Sequence, residues 1–322
     1  MKVDFDIVYN EYMKIRSNIR NKKKIFYFEL LLYSNINYLV KAINNNSYCL
    51  SKFNIFYIKE KKYRLILSNN IYDKIYHHLV NDLILYKLDK YLVDCNVASR
   101  KNKGTYYGRK LLHKYLCEIK RYNNEFYILK FDIKKYFFNI DQEILINKLS
   151  KYLNNDELDI IKNIINSTNS EYINKEITLI NEKNKIDLPF YQYGKGLSIG
   201  SVCSQILAIF YLNELDHYIK EKLGCKYYIR YVDDGVILMN DKNDLQKVFN
   251  YLKIVIKDYK LEFNSKTKIY KCNEGFEFLG IRYVIKNNKL IKRISKSDKK
   301  KKINNIRKTN YKFYKHYLKY VK

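Results

Sequence analysis

Two short apolar runs, Tyr227 to Val232 and Val236 to Met239, meet at Asp233-Asp234-Gly235, and this junction constrains the fold more than any other stretch. Runs of that length with turn residues between them predict a β-hairpin whose tip presents both carboxylates to one place. Adjacent aspartates repel, so one tends to keep its proton unless a cation neutralises the pair. A third carboxylate at the end of a neighbouring strand completes such a site. Phe126 to Phe131 is rich in aromatic and branched residues and reads as a strand running into Asp132. Taken alone, Asp233-Asp234-Gly235 is read equally well as a solvated turn.

The chain has a single proline, Pro189, and nine glycines, so its glycines mark places with special backbone needs. Gly104 and Gly108 follow a basic loop, Gly194, Gly196 and Gly200 share one loop, and Gly280 follows Phe278 and Leu279. The first 125 residues read as mostly helical, interrupted by strand-like stretches at Phe53 to Ile58 and Tyr63 to Leu67. Residues 71 to 92, 142 to 168 and 243 to 260 have helical apolar spacing, and Ile206 to Leu223 reads as one long apolar helix. Glu277 to Val284 reads as a strand, and Asp298 to Lys322, with ten Lys or Arg, as basic amphipathic helix. The fold class expected is α+β.

Sixty-two Lys and Arg against 33 Asp and Glu give a formal charge of +29 in 322 residues. Such a field attracts polyanions, with nucleic acid first among them. The abundance of Lys, Asn, Ile and Tyr also fits a compositionally biased genome, so the charge supports that reading without carrying it. The six cysteines show no zinc-ligand spacing and read as reduced thiols. No apolar leader or membrane span is expected, which points to the cytoplasm.

In order along the chain, several strings resemble the motifs of reverse transcriptases. Phe131-Asp132-Ile133-Lys134-Lys135-Tyr136-Phe137 is similar to the first catalytic motif of that family. Ile199 to Gln205 is similar to its glycine loop, and Tyr231-Val232-Asp233-Asp234 to its Y-x-D-D box. Leu261 to Thr267 and Phe278-Leu279-Gly280 are similar to the late palm motif and the primer-grip hairpin. The resemblance covers nearly the whole chain. It implies a right-hand polymerase with N-terminal segment and fingers at 1–125, a palm built on an antiparallel sheet at 126–285 with a helical fingers insertion at about 142–190, and a short basic helical thumb at 286–322.

The same resemblance assigns roles. Asp132, Asp233 and Asp234 are the expected catalytic residues. With Ile133 they form the metal-binding set, for two Mg²⁺ ions or alternatively Mn²⁺, which suit in-line nucleotidyl transfer. Lys62, Arg64, Phe137, Gln205 and Lys266 are expected at the incoming dNTP. Phe137 acts there as the bulky ring that excludes a ribose 2′-hydroxyl, and Lys266 as the proton donor to the leaving pyrophosphate. Arg100, Lys103, Gly104, Thr105, Gly200, Tyr231, Phe278, Leu279 and Gly280 are expected along template and primer. Ile199 and Gln205, standing where many members have Gln and Pro, resemble the enzymes of diversity-generating retroelements, which work with a small basic accessory protein. Group II-like or antiphage enzymes, and a non-catalytic nucleic-acid-binding protein on the same fold, are the alternative readings. Expected partners are template RNA, primer or cDNA, and dNTPs, without a membrane.

Overall fold

A computed structural model describes residues 1–294 except Arg20, Glu60, Lys61 and Asn124. Most of the thumb assignment, including the basic tail from Asp298, therefore lies outside the described residues. Along the chain come α1 (Phe5–Arg16), α2 (Lys22–Leu30), α3 (Leu32–Asn44), β1 (Asn54–Lys59), β2 (Tyr63–Ser68), α4 (Ile71–Leu83) and α5 (Thr105–Tyr122). They are followed by β3 (Tyr127–Phe131), α6 (Tyr136–Asn139), α7 (Gln142–Leu149), α8 (Asn155–Asn166), α9 (Glu171–Asn184), α10 (Val202–Tyr211) and α11 (Asn213–His217). Last are β4 (Tyr227–Tyr231), β5 (Asp234–Met239), α12 (Lys242–Asp258), β6 (Lys268–Lys271), β7 (Phe276–Phe278), β8 (Ile281–Lys286) and β9 (Lys289–Ile294).

The elements divide into two units. The first comprises residues 1–94, 133–217 and 253–263, and is largely helical. Several of its helices start on side-chain caps that satisfy free backbone N–H groups: Asp4 for α1, Asn70 for α4, Asp141 for α7, and Asn154 with Glu157 as a reciprocal box for α8. The β1–β2 hairpin buries Leu65 and Leu67 against Ile173, Ile177, Leu188 and Tyr191. Each such side chain contributes roughly 1.5–3 kcal/mol.

Among the described residues the second unit comprises 95–132, 218–252 and 264–294. Its centre is an antiparallel sheet in the order β4-β5-β3-β6. A second sheet, β7-β8-β9, shares a core with it and with α5, made by Val97, Leu112, Leu116, Phe126, Ile128, Ile229, Val236, Phe278 and Tyr283 among others.

Several expectations change on contact with the structure. Residues 85–91 tighten into a 3₁₀ turn instead of extending α4. The apolar stretch at Ile206–Leu223 is three pieces: α10 ends at Tyr211, α11 follows, and Tyr218–Lys222 widens into a π turn. Glu277–Val284 is two strands, because Leu279 (φ 49°) and Gly280 (φ 75°) both enter the left-handed region and fold the chain into a two-residue hairpin. Lys289–Ile294, placed in the helical thumb from sequence, is a strand paired with β8.

Candidate active site

The tip of the β4–β5 hairpin lies one step earlier than the sequence suggests. Tyr231 pairs with Asp234, so the two-residue turn is Val232-Asp233, and Asp234 and Gly235 already belong to β5. Gly235 is not a turn glycine. It is paired with Phe131 on one side and Arg230 on the other, and a Cβ there would stand 2.1 Å from the Phe131 ring. Glycine is needed because the ring lies flat on the backbone. Val232 takes the left-handed conformation (φ 58°), which is rare for a β-branched residue.

Asp132 follows β3 directly, and its backbone is gripped from the segment before β6. Its N–H donates to Thr267 Oγ1 at 3.1 Å, and Asn264 N–H donates to its carbonyl at 2.7 Å. The L-x-x-N-x-K-T string thus holds the third carboxylate by its main chain.

All three aspartates lie in the second unit and interact. Asp233 is pushed up to about 7, first by loss of solvent, then by the charge of Asp132, with Asp234 and a side-chain hydrogen bond to Asp132 adding to it against the pull of a backbone N–H. Two carboxyl groups share such a bond only while a proton stays on the pair. Asp234 is pushed up to about 6 by desolvation and by Asp132, partly offset by Lys130. The Lys130 ammonium lies 2.9 Å from Asp234 Oδ1.

Among the described residues no three His, Cys, Asp or Glu side chains form a ready cage for a metal ion. The donor chemistry nevertheless fits a hard divalent cation: half-buried carboxylate oxygens, two of whose pKa values are raised by burial first and by the charge of Asp132 second.

The remaining expected residues fall in both units. In the second unit the basic loop folds on itself: Arg100 donates to Asn96 O (3.1 Å), Gly104 N–H to Val97 O (2.7 Å), and Lys103 lies 5.8 Å from the centre of the Tyr107 ring. Thr105 starts α5. Phe278 is buried, and Tyr231 packs against the same core. Lys266 is exposed.

In the first unit Lys62 precedes β2 and Arg64 lies in it, both exposed. Ile133 is buried and bridges to Phe263. Phe137 sits in α6, half-buried, with its carbonyl accepting from Leu197 N–H at 2.8 Å. Gly200 (φ 125°) lies against β2, where a Cβ would meet Leu67 O at 3.0 Å, and Leu67 N–H donates to Ile199 O. Gln205 is exposed on α10.

Lys130, which pairs with Asp234, is one basic residue among 62, and Thr267 stands out only as a position in the Leu261 to Thr267 motif. Alternation along β3 places Lys130 two residues before Asp132, and that is the one available signal.

An α+β chain with this antiparallel sheet belongs to the class of polymerase folds. The family model described as reverse transcriptase (RNA-dependent DNA polymerase) matches residues 51–283, and the chain belongs to that family. A search of curated proteins finds no match. Among solved structures the chain is similar to telomerase from Candida albicans in complex with a TWJ fragment of telomeric RNA, at 15% identity and a TM-score of 0.55, covering 78% of this chain and 46% of that one. It is also similar to apo telomerase from Candida tropicalis truncated from the C-terminal domain, at 14% identity and a TM-score of 0.54, covering 78% and 58%. This chain thus spans about half the length of those proteins, and at such identity the likeness is one of fold. Among the described residues no helix is long and apolar enough to cross a membrane.

Proposed function

We propose that this chain copies an RNA template into DNA by nucleotidyl transfer at Asp132, Asp233 and Asp234. The observation that carries the reading is the interaction of these three carboxylates: Asp233 is driven up to about 7 by burial and by the charge of Asp132, an arrangement that is unfavourable until a cation is bound. With Mg²⁺ bound, the three aspartates would hold it, and it would supply charge neutralisation at the attacking primer oxygen and the leaving pyrophosphate. Lys130 neutralises Asp234 meanwhile and fixes its direction. Thr267 and the Asn264 amide fix the backbone of Asp132, so its carboxyl direction is set before substrate arrives.

In this reading residues 1–125 are the N-terminal segment and fingers, 126–285 the palm, and 286–322 the thumb. Lys62 and Arg64 receive the triphosphate, Gln205 and Gly200 face template and incoming base, and Phe137 selects deoxynucleotides. Arg100, Lys103, Gly104 and Thr105 meet the nucleic-acid backbone, which suits a chain of charge +29. Phe278, Leu279 and Gly280 guide the primer, and Lys266 protonates the leaving group. The Ile199 to Gln205 loop favours a diversity-generating retroelement with its accessory protein, working in the cytoplasm; an antiphage role is the second reading. The test is extension of a DNA primer on an RNA template with dNTPs and Mg²⁺. Asp233→Asn should lower the rate by about a thousand-fold or more, the effect of losing roughly 4 kcal/mol of charge stabilisation. Equal product from wild type and variant would sink the assignment.

A further inference from the structure

Val232 opens the catalytic turn in a conformation that costs a β-branched residue about 1–2 kcal/mol, so something must hold it there. The group in place is Arg230. Its side chain is fully buried, and its Nη1 donates to Val232 O at 2.5 Å. The backbone of Arg230 is engaged on its other side as well. Its N–H donates to Cys95 O and its carbonyl accepts from Val97 N–H, both at 3.0 Å, which makes a parallel bridge with Asn96. From that bridge the chain continues into the basic loop, where Val97 O receives Gly104 N–H and Asn96 O receives the Arg100 guanidinium. Catalytic turn and basic loop are therefore joined by hydrogen bonds at one residue.

We infer that Arg230 is a positioning residue: its guanidinium holds Val232 left-handed, which aims Asp233 and Asp234, and its backbone ties that aim to the loop at 95–104. The choice of residue supports this. A fully buried guanidinium is costly to desolvate, and this one spends a donor on the carbonyl of the left-handed turn residue. Lysine is no substitute, because a planar fork can reach a carbonyl in the plane of its own strand while a point charge on a flexible stem cannot fix the direction.

The inference rests on the proposed polymerase activity, and the experiment separates the two. Steady-state primer extension is measured for wild type, Arg230→Lys, Arg230→Met, Val232→Gly and the double variant Arg230→Lys/Val232→Gly, with melting temperatures for each. Wild type without activity would refute the polymerase reading itself. With wild type active, Arg230→Lys and Arg230→Met should lower kcat by about 10- to 100-fold while KM for dNTP stays within about two-fold, the signature of an interaction that shapes the transition state alone. Glycine takes the left-handed conformation unaided. In the Val232→Gly background the further loss from Arg230→Lys should therefore shrink to about three-fold or less, a coupling of neighbours that act through one turn. Additive losses in the double variant overturn the inference, as does a kcat equal to wild type. It is also overturned if both Arg230 variants lose activity only in step with a lost melting transition, since Arg230 would then serve stability alone.

Discussion

The second unit holds two tight hairpins that solve the same backbone problem with different residues. In each the turn opens on an apolar residue in the left-handed region, Val232 at φ 58° and Leu279 at φ 49°. In each an arginine guanidinium donates to the carbonyl of that residue: Arg230 to Val232 O at 2.5 Å, and Arg109 Nε to Leu279 O at 2.8 Å. The difference lies in the second turn residue. Leu279 is succeeded by Gly280, which accepts φ 75° without strain, whereas Val232 is succeeded by Asp233, and the glycine comes two residues later inside the strand. One hairpin uses its glycine for the turn. The other gives the turn position to a carboxylate and uses its glycine to admit the Phe131 ring.

The largest effect expected from that contrast is at Gly235. Its backbone is not left-handed, so alanine would meet no conformational penalty, only the Phe131 ring 2.1 Å from the new Cβ. Overpacking of this kind costs about 1–3 kcal/mol, and the shift falls directly on Asp234. Gly235→Ala should therefore lower the melting temperature by several degrees and abolish primer extension. A variant with wild-type stability and activity would show that the ring moves freely and that the close approach is incidental.

A loop in the first unit offers a third solution, in which the anchor is a neutral imidazole. His77 is buried on α4, and its Nδ1 lies 2.6 Å from Ser201 Oγ and 3.2 Å from Asn69 Nδ2. The Asn69 amide nitrogen can only donate, so Nδ1 is the acceptor and the ring is uncharged. Cys203 Sγ also donates to the His77 carbonyl, at 3.1 Å, so the start of α10 is tied to this one residue. Burial, with a smaller push from His78, holds His77 down to about 3, below its ordinary value of 6.5. The unfolded chain binds a proton below 6.5 that the folded chain refuses, so this contribution to stability is whole above pH 6.5 and is lost as pH falls toward 3. Between pH 6.5 and 5 the loss is about 2 kcal/mol. Thermal melts over that window should show the slope in wild type and a flatter line in His77→Gln. Parallel lines would mean that His77 is protonated in the folded protein.

Gly280→Ala comes next in size. The residue sits at φ 75°, where a Cβ costs roughly 1–2 kcal/mol, and it carries no chemical group. Stability should fall by that amount, and primer extension assayed well below the melting temperature should keep most of its rate per folded molecule. A loss of rate as deep as that of Gly235→Ala would place the second hairpin as close to the chemistry as the first, and the contrast between them would disappear.

The same residues mark the boundary of what is legible in the sequence. The strand running into Asp132, the apolar runs of β4 and β5, and the glycine loop before α10 are visible because their patterns are local: alternation, branched residues, and glycine among polar neighbours. The two-residue turn at Leu279-Gly280 is hidden from the apolar pattern, because apolar residues flank it and no polar turn residue interrupts the run, and only the resemblance to a primer-grip hairpin points to it. The turn register at Val232-Asp233 is masked because Asp-Asp-Gly looks like the tip, and only the ring of Phe131, 104 positions earlier in the chain, explains the glycine. The clamps of Arg230 and Arg109 are illegible for a different reason. In a chain with 62 basic residues nothing local separates a buried guanidinium from a solvated one. Burial is a property of the fold.

The smallest effect is at Val232 itself. Val→Gly in a strand normally destabilises through lost burial and a more flexible unfolded chain, and Val236→Gly, at a fully buried position in β5, should cost about 2–4 kcal/mol. At Val232 the side chain is only half-buried, and glycine would also release the roughly 1–2 kcal/mol held in its left-handed backbone. The opposing contributions nearly cancel, so Val232→Gly should leave the melting temperature within about 2 °C of wild type. Leu279 shares the conformation and the arginine clamp, but its side chain packs against the core of the second unit, so Leu279→Gly should cost more than Val232→Gly. If Val232→Gly proved as costly as Val236→Gly, the left-handed turn would be unstrained in this protein. The bond from Arg230 to Val232 O would then relieve no strain, and the likeness between the two hairpins would be one of shape only.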